Sequence, residues 1–306
     1  MTDVPERVTI TEVVLRDGLQ DEPVTVPTAE KIRLARRLLG AGSTSLEVGA
    51  FVNPARVPQM ADTEEMLAGL LPGTAAKLHT LVFNRTGAAR AVAAGARDVR
   101  LVVSATEGHS KANTGADVEE ALDRLDAAAD VLAAAGVRME ATLATAFVCP
   151  FDGPTDPRRV ASVAGRLKDA GVGLVGLADT IGNANPTQVR DTVAAVRERR
   201  PDLELGLHLH DTYGMGLANV WAALQMGVAH FDASLGGIGG CPFAPGAAGN
   251  IGTDDLVHLL HREGIRTGLD AEALADVRGE IGAAVGHPLP SALAMIPAVP
   301  AAVAGR

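Results

Sequence analysis

Cysteine and aromatic residues are scarce in this 306-residue chain: two cysteines, and 3% Phe, Trp and Tyr together. The two thiols, Cys149 and Cys241, lie far apart, which excludes a disulfide scaffold and a CxxC zinc site. So few aromatics exclude a base-stacking platform. Basic charge is also in short supply, 27 Lys and Arg against 37 Asp and Glu, for a formal net charge of −10. With no Lys/Arg-rich run, nucleic acid and anionic membrane are excluded as main partners. No uninterrupted apolar stretch reaches the ~20 residues of a membrane helix. Met1–Val8 has neither the charged nor the apolar region of a secretory signal, and the final Ala-Gly-Arg matches no common address tag. The expectation is a soluble cytoplasmic protein with reduced thiols.

What is present is apolar residue, 47% of the chain, enough to bury a full-sized core and to exclude intrinsic disorder. Short β-rich runs alternate with Ala/Leu-rich helical stretches. The runs are Val8–Leu15, Ser45–Val48, Lys77–Phe83, Val99–Ser104, Val137–Thr145, Val172–Ala178, Leu203–His210 and His230–Leu235. Between them lie amphipathic segments such as Val118–Ala135 and Pro157–Ala170, most of them ending at Gly. Roughly eight strand–helix units predict an α/β chain folded as a (β/α)8 TIM barrel. A doubly wound sheet would carry a Gly-rich fingerprint after its first strand, where this chain has Arg16-Asp17-Gly18. One domain over 1–306 is expected: a barrel over about 7–265 and a short helical extension over 266–306. In that extension Asp270–Val285 reads as an additional helix, and Pro288–Arg306 as a loose tail or a cover.

The polar residues gather at one set of positions. Arg16 and Asp17 end the first run, Glu47 the second, Asp179 the sixth, and His208 and His210 the seventh; a Gly-rich loop follows the eighth. Barrel enzymes build their sites from the C-terminal strand ends. His208 and His210, two apart on a strand, face the same way and either share one ion or form a hydrogen-bonded pair. Asp17 and Asn250 could add a carboxylate and an amide oxygen, a set suited to a divalent cation such as Mg2+ or Mn2+. Arg16 beside that carboxylate can hold a developing oxyanion. Glu47 reads as its support, ahead of a proton-transfer role. Asp179 either serves the site or caps the next helix. Cys149 reads as a small buried hydrophobe, whereas Cys241 ends a run with four glycines in five residues, Gly236–Gly240, and reads as reactive. Ser104, Glu107, His109, Lys111 and Asn113 form a polar stretch, either a solvated loop or a substrate-facing wall.

From about Val8 to Thr267 the chain resembles the hydroxymethylglutaryl-CoA lyase family, in the metal-dependent barrel group that includes isopropylmalate synthase. The resemblance is carried by Arg16-Asp17-Gly18-Leu19-Gln20, Phe51-Val52-Asn53-Pro54, Val57-Pro58-Gln59-Met60, Cys149-Pro150-Phe151, Asp179-Thr180-Ile181-Gly182 and His208-Leu209-His210-Asp211-Thr212. Gly236-Gly237-Ile238-Gly239-Gly240-Cys241-Pro242 with Gly249-Asn250 is the most specific part; the synthases lack this signature and usually carry a further C-terminal domain. The resemblance implies Mg2+ or Mn2+ on Asp17, His208, His210 and Asn250, with Arg16, Glu47, Asp179, His208 and Cys241 as catalytic or supporting groups. It leaves Asp17 and His208 as alternative bases. It implies an acyl-CoA substrate, a homodimer by family habit, and retro-Claisen cleavage of 3-hydroxy-3-methylglutaryl-CoA to acetyl-CoA and acetoacetate. The alternatives are the same chemistry on another 3-hydroxyacyl-CoA or hydroxy acid, or a Claisen-condensing acyl-CoA/2-oxoacid synthase. Two positions depart from the family pattern: Ala50 and Gly176 each stand where serine is usual. Both changes remove a hydroxyl expected beside the site, which suggests an altered acyl group.

Overall fold

In the computed structural model, which describes residues 4–240 and 249–296, eight parallel strands close on themselves. They are β1 (Thr9–Glu12), β2 (Ser45–Ala50), β3 (Lys77–Val82), β4 (Asp98–Ser104), β5 (Arg138–Ala144), β8 (Leu174–Asp179), β9 (Glu204–Leu209) and β10 (His230–Ala233). Two-residue strands β6 (Val148–Cys149) and β7 (Gly153–Pro154) form a separate antiparallel hairpin after β5. Each barrel strand pairs with the next, and β10 returns to β1 with Thr9 opposite His230 and Glu12 opposite Ala233. The helices are α1 (Thr28–Gly40), α2 (Thr63–Leu70), α3 (Arg85–Ala93), α4 (Glu107–Thr114), α5 (Val118–Ala134), α6 (Pro157–Asp169), α7 (Pro186–Arg199), α8 (Gly216–Gln225), α9 (Thr253–Arg262) and α10 (Ala271–Val285). This is the TIM barrel that the alternation predicts.

Local chemistry sets the helix starts. Asp156 accepts from the Arg158 N–H ahead of Pro157, and Asn185 and Gln188 exchange side-chain and backbone hydrogen bonds in a capping box around Pro186. Alternate strand residues such as Leu46, Val99, Leu101, Val175 and Leu177 are buried in the core shared with helix residues such as Leu34, Leu38 and Leu122. Truncating one of them to Ala costs about 2–5 kcal/mol. The intervening residues face the barrel axis, and there the interior is charged: Glu47 on β2, Arg100 on β4, Glu140 on β5 and Asp232 on β10 meet across it.

Two local features differ from the sequence expectation, and a third takes one of the two forms it allowed. The first strand stops at Glu12, and Val14–Gly18 coil into a π-helical turn in which the N–H groups of Arg16, Asp17 and Gly18 all donate to the Val13 carbonyl. The cause is Glu12, a buried carboxylate accepting from the N–H of Val14 and Leu235, both at 2.9 Å, and from the Thr253 hydroxyl at 2.7 Å. Single π turns often mark functional sites. The polar stretch after β4 forms helix α4, with His109 buried and its Nδ1 2.7 Å from Ser104 Oγ. The segment after α10 acts as a cover as far as residue 296: Ser291 donates its N–H to Gly236 and its hydroxyl to Asp254, at 2.9 and 2.7 Å. Among the described residues no helix is long and apolar enough to cross a membrane.

Candidate active site

The π turn, the end of β9 and the far end of the β10 loop converge on one rim. His208 faces inward near the end of β9 and His210 lies one residue past it, with their Nε2 atoms 3.2 Å apart. Asp17 Oδ2 lies 3.8 Å from each. All three residues are buried, and one ligand atom from each falls within 4.8 Å of the others. Asn250 pairs with His210 in a short antiparallel bridge, its Nδ2 donating to Asp17 Oδ2 at 2.6 Å and to the Ile238 carbonyl at 3.2 Å.

This donor set fits a divalent cation. Asn250 Oδ1 is buried without a hydrogen-bond partner, a costly state for an amide oxygen unless something charged occupies the space beside it. Two facing imidazole nitrogens can share only one proton, whereas a cation satisfies both lone pairs. His208 Nδ1 lies 3.2 Å from Asp232 Oδ2; donation there leaves the lone pair on Nε2, directed at the cluster. Two nitrogens and two oxygens suit Mg2+ or Mn2+ with further oxygen ligands.

The charges around the cluster are mutually held. Arg16 Nη1 donates to Asp17 Oδ1, and Arg16 Nε donates to Glu47 Oε2 at 2.5 Å. Burial works to raise the Asp17 pKa, but Arg16 and the two imidazoles outweigh it and hold this carboxylate far below the usual range. Burial and the neighbouring His208 push His210 down to about 4. For His208 burial is opposed by Asp232 and Asp17, which raise it. Asp179 at the end of β8 is buried and pushed up to about 6 by desolvation, while its carboxylate accepts from the N–H groups of Asn183 and Ala184 at 3.0 Å. It thus organises the turn before α7, whose N-cap is Asn185.

Gly239, at φ 121°, admits the close approach of the loop to the cluster: a Cβ there would lie 2.4 Å from Asn250 Nδ2 and 3.1 Å from the Asp17 carbonyl. Cys241 lies outside the described residues. Cys149 is buried in the β6–β7 hairpin, its Sγ 3.5 Å from Asp152 Oδ2. The two departures from the family pattern occupy different places. Ala50 ends β2 in a small apolar cluster with Met60 and Leu81, against which Val57, Phe83 and Val102 pack. Gly176 lies one inward position below the residue paired with His208, facing a cavity of about 20 Å³ also lined by Ser45, Arg100 and Asp232. The hydroxyl missing at Gly176 is therefore missing from the barrel interior, beneath the rim.

Sequence reasoning missed Glu12, Arg100 and Asp232. The signal was available: each is a charge inside an otherwise apolar or β-branched run, where a side chain is buried whichever way it faces.

The HMGL-like family model matches residues 7–281. Over 296 residues the chain is 43% identical to the (R)-citramalyl-CoA lyase of Chloroflexus aurantiacus, covering 94% of this chain and 93% of that one. It is 41% identical to the mitochondrial hydroxymethylglutaryl-CoA lyase of Rattus norvegicus, covering 90% and 85%. Among solved structures, an HMG-CoA lyase from Acinetobacter baumannii in complex with coenzyme A and 3-methylmalate superposes with a TM-score of 0.90. The two are 39% identical, with 98% of this chain and 100% of that one covered.

Proposed function

The chain belongs to the HMGL-like family, and on that premise we propose that it is a divalent-metal-dependent carbon–carbon lyase cleaving a 3-hydroxyacyl-CoA by a retro-Claisen reaction. The observation that carries this reading is the convergence of Asp17, His208, His210 and Asn250 beside a guanidinium, Arg16, that two carboxylates hold in place. The four residues would hold Mg2+ or Mn2+, which when bound lowers the pKa of the substrate's 3-hydroxyl and orients it. The hydroxyl proton passes to Asp17 rather than to the alternative base His208, whose Nε2 lone pair would face the cation while its Nδ1 lies 3.2 Å from Asp232 Oδ2. As C2–C3 breaks, negative charge moves onto the thioester oxygen, where Arg16, permanently charged and fixed by Glu47, stabilises the enolate. Cys241, one residue beyond Gly240, supplies the proton that turns the enolate into acetyl-CoA.

The first substrate assignment is 3-hydroxy-3-methylglutaryl-CoA, giving acetyl-CoA and acetoacetate. A second reading, citramalyl-CoA giving acetyl-CoA and pyruvate, is favoured by the 43% identity to a citramalyl-CoA lyase and by the apolar surroundings of Ala50. The two substrates differ by one methylene between the carboxylate and the hydroxyl carbon, a difference worth about 10–200-fold in kcat/KM when a pocket is fitted to one of them. Measuring kcat/KM on both thioesters decides: the assignment predicts the larger value for 3-hydroxy-3-methylglutaryl-CoA, and a tenfold preference for citramalyl-CoA replaces it with the second reading.

A further inference from the structure

Beneath the rim the barrel axis holds one guanidinium at the junction of two arms of the site. Arg100 projects from the middle of β4 and is almost wholly buried. Its Nη1 donates to Asp232 Oδ2 at 2.7 Å and to Glu47 Oε1 at 3.3 Å, and its Nη2 to Glu140 Oε2 at 3.2 Å. Each of the first two acceptors also serves the site above. Asp232 Oδ2 lies 3.2 Å from His208 Nδ1, and the other oxygen of Glu47 accepts from Arg16 Nε at 2.5 Å.

We infer that Arg100 is a positioning residue for the lyase reaction, orienting Arg16 through Glu47 and His208 through Asp232. Charge and geometry together require such a group. Glu47, Asp232 and Glu140 arise on three different strands and meet inside the barrel, the first two buried and Glu140 partly so with Lys77 Nζ 3.2 Å from its other oxygen, and carboxylates gathered this closely repel unless a cation stands between them. Of these three carboxylates Arg16 pairs with Glu47 alone. The planar fork of a guanidinium offers several donors at fixed angles, so it can hold carboxylates from separate strands at once. A lysine ammonium is a point charge on a flexible stem and cannot fix the same three directions. Space below is limited: Arg100 lines the 20 Å³ cavity together with Gly176 and Gly206, which leave room for about one water and none for a second arrangement of the fork. The two arms therefore share one anchor, so disturbing Arg100 disturbs both together. The inference rests on the lyase reading for its kinetic part alone.

The test compares Arg100→Lys with the charge-balanced double variant Arg100→Met/Glu140→Gln, each first checked by circular dichroism and thermal melting. The double variant guards against the case where Arg100→Lys fails to fold. Two quantities are read: Mn2+ affinity of the substrate-free protein by electron paramagnetic resonance, and kcat and KM on the thioester that the wild type cleaves. In a folded variant, Mn2+ affinity should fall about 10-fold or more, the effect of losing support behind a ligating histidine. In parallel kcat should fall at least about 10-fold at saturating Mn2+, with KM changed less than about threefold, because Arg16 loses its aim only toward the transition state. A folded variant in which either quantity stays within about twofold of wild type overturns the junction, since one arm would then stand without Arg100. If the wild type cleaves neither thioester, the function reading fails by itself, and the Mn2+ titration still judges Arg100.

Discussion

At the scale of single residues, the proposed chemistry divides the site into groups that would bind the cation and groups that would stabilise the reacting charge. His210 offers its Nε2 to the cluster and sits 3.8 Å from Asp17 Oδ2. His210→Ala should therefore weaken Mn2+ binding by about 10-fold or more, read by titration of the substrate-free protein. Arg16 faces the same carboxylate with a positive charge, and removing it does not weaken a cation site. Arg16→Met should keep Mn2+ affinity at least at the wild-type level while kcat drops about 10²–10³-fold, the usual loss when an oxyanion donor is removed. Equal loss of metal binding in both variants would show that the two residues are not divided in this way. The sequence displays these residues clearly because they stand at strand ends in polar company. Asp232 and Arg100 fail that criterion: in Phe231-Asp232-Ala233 and Val99-Arg100-Leu101 a charge inside an apolar run marks a buried side chain without naming its partner. Only the closed barrel shows that their inward faces meet.

At the scale of elements, the end of β1 is the most telling. A continuous strand through Leu15 fits the run of apolar residues, yet the chain turns at Glu12 because a buried carboxylate there collects three donors from the π turn, the β10 loop and α9. No periodicity argument contains that information, because two of the three donors, Leu235 and Thr253, come from more than two hundred positions away. Desolvation pushes Glu12 up from 4.5 to about 7. The folded chain thus holds this proton more tightly than the unfolded chain. The protonated carboxyl contributes stability at low pH that is lost as pH rises from about 4.5 to 7, a change of about 3 kcal/mol. Glu12→Gln keeps an acceptor for the two N–H groups and removes the titration. Its stability relative to wild type should improve by about 3 kcal/mol between pH 4.5 and 8 in paired urea melts. The buried histidines His79 and His109, both pushed down to about 4 by desolvation, are common to the two chains and cancel. A pH-independent difference between the two melts would mean that Glu12 is ionised in the fold throughout that range.

At the scale of the whole molecule, the alternation of short β-rich runs with helical segments was enough to give a TIM barrel and to place the polar residues on its C-terminal rim. The β6–β7 hairpin escaped notice because two-residue strands carry no periodicity. The substrate is less legible than the fold, since relatives that share this chemistry carry names for different acyl-CoA substrates at 43% and 41% identity. The central claim is that this rim, loaded with a divalent cation, breaks the C2–C3 bond of a 3-hydroxyacyl-CoA. The most direct measurement is chromatographic analysis of products from 3-hydroxy-3-methylglutaryl-CoA and from citramalyl-CoA, with Mg2+ or Mn2+ present and with the metal removed by a chelator. The account predicts acetyl-CoA with a stoichiometric keto acid, acetoacetate from the first or pyruvate from the second, only when the metal is present. Undiminished cleavage after metal removal, or no acetyl-CoA from either thioester with metal bound, would contradict it.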